Sequence, residues 1–177
     1  MHVELDCSRD GRLWTRVAAG QQWMALNRRR DTWDASRIKP TAMLEVGEEI
    51  WIYYTAAPTA IEMDNPNLPA SHRVPYSAGL ATLPRDRFAS IAAGNQTGTL
   101  LTRPLNFQGR SLRVAVVDRD GQLIVGYGGD RYARLKGDSI DMPVTWNGQS
   151  DLAGLTNSAV CLRFELTCAK LYSFWIE

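Results

Sequence analysis

Four short strand-like segments follow one another between residues 42 and 91, and they constrain the fold more than any other feature of the chain. Gly47 supplies the turn between the first two segments, and the Pro84-Arg85-Asp86 corner separates the last two. Consecutive antiparallel strands joined in this order form a meander, which is the unit of one propeller blade. The predicted strands are Ala42–Val46, Glu49–Ala56, Tyr76–Leu83 and Arg87–Ile91.

Apolar residues alternate along the second of these segments. Ile50, Ile52 and Tyr54 fall on one face of the predicted strand, and Trp51 and Tyr53 fall on the other. Because both sets are apolar, we expect a strand that is covered on both faces, with its aromatic side chains in the core. Upstream, the stretch from residue 8 to residue 14 has the S-x-D-G-x-x-W form of a further blade hairpin.

A second run of strand-like segments begins near residues 92–96. Their alternation and the turn signals between them predict a β-sandwich, and Asp118–Gly121 is predicted to be one of the turns, with Gly121 at positive φ. We therefore predict an all-β fold in which a partial propeller of about one blade, residues 1–93, packs on a jelly-roll-like β-sandwich, residues 94–177. The predicted strands of the sandwich are Gly98–Arg103, Leu112–Asp118, Gln122–Tyr127, Met142–Trp146, Ala159–Leu166 and Lys170–Ile176.

The charge balance argues against nucleic-acid and membrane-surface functions. The 20 basic residues nearly cancel the 19 acidic ones, so there is no electrostatic footprint for a polyanion. The only basic run, Arg28–Arg30, is followed at once by Asp31 and is interpreted as a solvated loop. No apolar run has the length of a membrane span, and the charged start at residues 2–4 does not resemble a signal peptide. We expect a soluble protein with no nucleic-acid or membrane partner.

Metal ligands are few and poorly spaced. Cys7, Cys161, Cys168 and the two histidines match no zinc pattern, and the thiols are interpreted as small packed side chains. The acidic residues around Asp118–Gly121 suggest calcium, but they lack the loop length and the terminal glutamate of a calcium loop, so a plain hairpin turn is favoured. We expect no metal and no cofactor.

Several segments resemble one enzyme family. Ala78–Phe88, with the sequence AGLATLPRDRF, resembles the closing strands of the last propeller blade in invertase-like and arabinanase-like glycoside hydrolases. Gly98–Leu105, with the sequence GTLLTRPL, resembles the first strand of the β-sandwich that follows this blade in bacterial members. The segments 111–121, 136–139 and 171–174 resemble later parts of that sandwich. By this resemblance, the chain is either the carboxyl-terminal remnant of a larger, five-bladed enzyme or a standalone module derived from one.

The resemblance implies a carbohydrate-related function without a complete catalytic site. Glycoside hydrolysis requires two carboxyl groups that face each other across the scissile bond. In the resembling enzymes, the blades that supply the nucleophile and the acid lie upstream of every segment matched here. We therefore expect a carbohydrate-associated module that does not hydrolyse glycosides as an isolated chain. The alternative is a structural or interaction protein that self-associates into a homo-oligomer through its exposed blade.

Four residues are candidate ligand contacts, and no residue is assigned a catalytic role. Trp33 and Asp34 resemble the Trp/Phe-Asp-Ser stretch that enters the last blade of the family, and an indole beside a carboxylate suits a sugar. The competing interpretation is that Trp33 packs on the blade and Asp34 caps a turn. His72 and Arg73 lie in the proline-rich loop of residues 58–75, where they either reach a ligand or are simply solvated.

Overall fold

The protein is all-β, as predicted: strands account for 58% of the residues and helix for 1%. Two compact units divide the chain, Met1–Leu83 and Pro84–Glu177. Within the part of the chain that the structure describes, no helix is long and apolar enough to cross a membrane. The computed structural model describes residues 2–29, 32–58, 76–129, 131–149, 152–156 and 158–177.

The first unit holds a hairpin and a three-stranded sheet. The hairpin consists of β1 and β2, and the sheet has the order β3-β4-β5. Strands β3 and β4 are antiparallel and turn at Gly47, whose φ is 62°, so the predicted glycine turn is confirmed. The bounds of these strands are Leu5–Ser8 (β1), Trp14–Val17 (β2), Arg37–Val46 (β3), Glu49–Ala57 (β4) and Ser77–Pro84 (β5).

The loop of the β1–β2 hairpin is held by two side chains. Asp10 Oδ1 accepts hydrogen bonds from the backbone N–H groups of Arg12 (2.8 Å) and Leu13 (2.9 Å). Ser8 Oγ accepts a hydrogen bond from the N–H of Gly11 (2.9 Å), which adopts a φ of 71°. The S-x-D-G pattern thus forms a hairpin because its serine and aspartate supply acceptors to the turn.

The fourth strand predicted for the first sheet is wrong. The chain turns at Asp86, whose φ is 63°, and residues 87–90 are not in a strand. Ile91 begins the short strand β6, which pairs with a strand of the second unit instead. The pairing partner decides this outcome, because a segment of three residues carries too little local signal to choose a sheet.

The two faces of β4 are not equally covered. Ile50 and Ile52 are buried, whereas Tyr53 on the opposite face is 39% exposed. The prediction that both faces of this strand are covered is therefore wrong. Alternating apolar residues identified the strand correctly but not the solvent-exposed face, since an aromatic ring tolerates partial exposure.

All strands of the second unit belong to one sheet. Its two longest strands, β8 and β11, pair with each other along most of their lengths, and the sheet is curled into a half-barrel. Strands β10 and β6 flank one end of this central pair, and β9 and β7 flank the other end. The bounds are Ile91–Ala93 (β6), Gly98–Leu101 (β7), Leu112–Tyr127 (β8), Arg131–Leu135 (β9), Asp138–Pro143 (β10) and Arg163–Ile176 (β11).

A bulge replaces the turn that was predicted in the middle of β8. Asp118 pairs with Ala169 and Gln122 pairs with Thr167, so three residues of β8 face Cys168 alone. Cys168, the single residue opposite the bulge, adopts a φ of 47°. The prediction of two strands joined by a hairpin turn at this place is wrong, since the chain continues as one bent strand.

The bulge is maintained by Gly121 and Asp118. A Cβ atom at Gly121 would lie 1.8 Å from the carbonyl oxygen of Thr167, so only glycine fits. This requirement comes from close approach of two strands and not from the positive φ that was predicted. The carboxylate of Asp118 accepts hydrogen bonds from the N–H groups of Gly121 (3.0 Å) and Gly137 (3.2 Å), which ties the bulge to the start of β10.

The bulge also lets both ends of the sheet share one core. In β8, the side chains of Val114 and Val116 before the bulge and of Leu123 and Val125 after it belong to the same core cluster. The residues that point into the core therefore have even numbers before the bulge and odd numbers after it. Each fully buried side chain of this kind contributes about 1.5–3 kcal/mol. In β11 the same change of parity separates Phe164 and Leu166 from Ala169 and Leu171.

Candidate ligand-binding site

Trp33 and Asp34 lie in a turn that precedes β3 and is fixed against the end of β4. The N–H of Ser36 donates to the carbonyl oxygen of Ala57 (3.1 Å), the last residue of β4. The N–H of Asn27 donates to the carbonyl oxygen of Asp34 (3.4 Å). These backbone bonds position both candidate side chains beside the three-stranded sheet.

The indole of Trp33 packs against Tyr54 and is still accessible. The two ring centroids are 5.7 Å apart and the ring planes differ by 15°. Stacking of this kind contributes about 0.5–1.5 kcal/mol beyond the buried area. Trp33 is nevertheless 39% exposed. Packing on the sheet and presentation to a ligand, which were competing interpretations of the sequence, are therefore compatible.

Gly79 on β5 provides the space in which the two rings lie. A Cβ atom at this position would lie 2.5 Å from Cη2 of Trp33 and 2.6 Å from Cζ of Tyr54. Any larger residue would displace at least one ring. Neither Gly79 nor Tyr54, which was predicted to be a core residue, was among the predicted ligand contacts, although an isolated glycine within a strand pattern is a known signal of close approach.

Asp34 offers an oxygen atom without a partner. Its Oδ1 is buried, and no donor among the described residues lies within hydrogen-bond distance of it. The turn-capping interpretation therefore finds no support at this oxygen. A buried acceptor without a donor costs about 1–3 kcal/mol.

The surroundings of Tyr54 raise the pKa of its phenol above the ordinary value of 10.0. Burial is the main cause of its raised pKa, and the negative charge of Asp34 raises the pKa further. The hydroxyl group therefore stays protonated at neutral pH and keeps its capacity to donate a hydrogen bond. The site thus combines an accessible ring, an acceptor and a neutral hydroxyl group.

The other two predicted contacts, His72 and Arg73, lie outside the described residues and stay predictions. Trp33 and Asp34 are adjacent in sequence, and the structure joins them to Tyr54 and Gly79 from two different strands. Among the described residues, no group of three acidic, cysteine or histidine side chains is arranged to hold a metal ion.

A second concave surface lies in the other unit and has a different character. Its volume is about 420 Å³, and Arg131, Tyr132 and Asn147 are among the residues that line it. Arg131 Nη1 donates to the hydroxyl oxygen of Tyr127 (2.9 Å), and the guanidinium lies over that ring. Trp146 is buried beneath this surface, edge-on to Tyr127. None of the described lining residues is acidic.

Comparisons of the sequence with protein-family models, with curated proteins and with solved structures find no match. The function therefore has to be inferred from the chemistry of the residues themselves. Of the four residues that form the aromatic site, Asp34 alone carries a carboxyl group.

Proposed function

We propose that this protein is a non-catalytic carbohydrate-binding module that binds a sugar on Trp33. The observation that carries the proposal is the arrangement around this indole: it is accessible, it is backed by Tyr54, and the next residue in the chain, Asp34, supplies a carboxylate. The expected ligand is a neutral sugar, because a carboxylate next to the ring attracts hydroxyl donors and repels acidic groups.

The chemistry of the site suits a sugar for two reasons. The C–H face of a sugar ring is apolar and packs on an aromatic face, while its hydroxyl groups project from the ring edge toward polar partners. Trp33 offers the first contact and Asp34 the second. Since Tyr54 and Gly79 already fix the orientation of the indole, little side-chain freedom remains to be lost on binding.

The proposal extends to the relationship with glycoside hydrolases. In this account the β3-β4-β5 sheet is the remnant of the last propeller blade, and the two ends of the curled sheet act as the two layers of a sandwich. The residue order AGLATLPRDRF in Ala78–Phe88 supports the first assignment. The shared core of the two sheet ends supports the second.

The same proposal predicts that the chain does not hydrolyse its ligand. Hydrolysis takes two carboxyl groups about 5–9.5 Å apart on either side of the bond. Asp34 is the single carboxyl group among the residues of the site. In this role it orients a hydroxyl group of the sugar and transfers no proton.

A panel of neutral oligosaccharides tests the proposal, with binding followed by calorimetry for the wild type and two tryptophan variants. We expect Trp33→Ala to weaken binding by about tenfold or more, the equivalent of one lost stacking contact. Trp14→Ala is the matched control, because Trp14 is 62% exposed and belongs to the β1–β2 hairpin. The proposal fails if the wild type binds no member of the panel, or if both variants bind as the wild type does.

Self-association is a second candidate function, and one observation favours it. The face of the three-stranded sheet opposite the aromatic site exposes Leu44, Val46, Tyr53 and Leu80. A contiguous apolar face of this kind often marks an interface between proteins. A second copy of the chain is the proposed partner.

The solution mass, measured by light scattering, tests this second function. We expect the wild type to form a dimer or a larger assembly and Leu80→Asp to be monomeric, since a charge in the interface opposes association. Leu13→Asp is the control, because Leu13 is exposed in the hairpin loop and is not part of the three-stranded sheet. A monomeric wild type would rule out self-association and leave the sugar proposal intact.

A further inference from the structure

A cavity of about 340 Å³ lies in the second unit, where β6, β8 and β11 meet near the start of β10. Two small residues of β6, Ala92 and Ala93, form part of its wall and leave room at the strand surface. Charged and aromatic side chains also line the cavity: Arg87, Asp138, Lys170 and Tyr172. The volume is that of a small ligand site.

Arg87 is held rigidly in this lining. Its Nη2 donates to the carbonyl oxygen of Val116 (3.4 Å) and pairs with the carboxylate of Asp138. The guanidinium lies over the ring of Tyr172, with Cζ 5.2 Å from the ring centroid. The side chain is only 12% exposed, so the group is placed in advance of any ligand.

The positive charge in the cavity is only partly compensated. Arg87 and Lys170 are cationic, and Asp138 is the one acidic residue among the described lining residues. The side chain of Asp138 is 61% exposed, so water screens much of its charge.

We propose that this cavity binds a small oxyanion, the carboxylate or phosphate group of a small molecule, between Arg87 and Lys170. A guanidinium presents its N–H groups in a planar fork that matches the oxygens of such an anion, and a lysine adds a point charge. The ring of Tyr172 packs against the guanidinium of Arg87 and keeps its N–H groups in place. This site belongs to the second unit and is independent of the sugar site on Trp33.

The test is a titration of the full chain with inorganic phosphate, followed by ¹H–¹⁵N NMR at constant ionic strength, with sodium chloride as the reference salt. We expect saturable shifts in the amides of residues 168–172. A parallel titration with acetate identifies the preferred anion: tighter binding of acetate assigns the site to carboxylates, and tighter binding of phosphate to phosphoryl groups. Shifts that do not saturate, or that equal those caused by chloride, would overturn the proposal.

Variants locate the binding to this cavity. Lys170→Gln removes an exposed cation without disturbing the core, and we expect it to weaken phosphate binding by about threefold or more. Lys39→Gln, an exposed lysine of the first unit, should bind as the wild type does. Arg87→Lys keeps the charge but loses the fork, and we expect a larger loss. Equal affinity in the wild type and Lys170→Gln would contradict the assignment, even if Arg87→Lys fails to fold.

Discussion

At the scale of single residues, Gly79 controls the aromatic site most directly. We expect Gly79→Ala to separate the rings of Trp33 and Tyr54, because its methyl group would lie about 2.5 Å from both. The free energy of unfolding should fall by about 1–3 kcal/mol, as in other overpacked sites, and the sugar affinity should fall with it. Thermal unfolding and calorimetry measure the two effects.

Gly94→Ala is the control for this variant, because nothing lies within 4 Å of a Cβ atom at Gly94. This variant should match the wild type in both measurements. Unchanged sugar affinity in Gly79→Ala would mean that the stacked pair is not the binding platform.

Through Asp10, the stability of the β1–β2 hairpin should depend on pH. Hydrogen bonds from the N–H groups of Leu13 and Arg12, and then from Ser8, lower the pKa of its carboxyl group below the ordinary value of 3.8. Since the folded state has the lower pKa, the ionised side chain stabilises the fold above pH 3.8, and this contribution is lost as the pH falls through the folded pKa.

We therefore expect Asp10→Asn to lower the melting temperature at neutral pH and to reduce the drop in melting temperature between about pH 5 and pH 2. Asp6→Asn, an exposed position on β1, is the control and should follow the wild-type profile. A profile for Asp10→Asn that coincides with the wild type would show that the hairpin loop does not depend on this carboxylate.

At the scale of strands, the β8 bulge is the feature on which the second unit depends. We expect Gly121→Ala to lower the free energy of unfolding by at least about 2 kcal/mol, because its Cβ atom would overlap the carbonyl oxygen of Thr167. Chemical denaturation measures the change. Gly154→Ala, with nothing within 4 Å of its Cβ atom, should have little effect. Equal stability of the two variants would contradict the close packing of β8 on β11.

The turn at Gly47 and the bulge in β8 show which strand boundaries can be predicted from the sequence and which cannot. The strands that bracket Gly47 follow from alternation and a glycine turn, which are local signals. The Asp118–Gly121 stretch has the composition of a hairpin turn, yet both of its flanks pair with the single strand β11. Pairing with a strand that is distant in sequence overrides the local preference for a turn. The residues near position 120 do not by themselves specify that pairing.

At the scale of the whole molecule, the division of the chain into two compact units predicts that the second unit can fold without the first. Every residue of the buried core cluster belongs to the second unit. We therefore expect a fragment of residues 84–177 to fold alone, because it is larger than the smallest independently stable domains. Circular dichroism and thermal unfolding should give a β-type spectrum and one cooperative transition. A fragment without a cooperative transition would contradict the division at residue 83.

The proposed sugar site is only half predictable from the sequence. Trp33 and Asp34 are neighbours, so their side chains are brought together by local chain geometry. Tyr54 and Gly79 reach the same place only because β4 and β5 lie side by side in the sheet. The composition of the chain does not specify how β4 and β5 align. A glycine in a strand predicts a close approach, but it does not identify the side chain that makes it.

The most direct test of the sugar proposal is the indole region of the ¹H–¹⁵N NMR spectrum, to which each of the six tryptophans contributes one N–H signal. A neutral oligosaccharide found to bind in the panel is added in steps. The account predicts a saturable shift of the Trp33 signal with the affinity measured by calorimetry, while the signals of Trp14 and Trp146 stay in place. Binding that leaves the Trp33 signal unmoved would contradict the account.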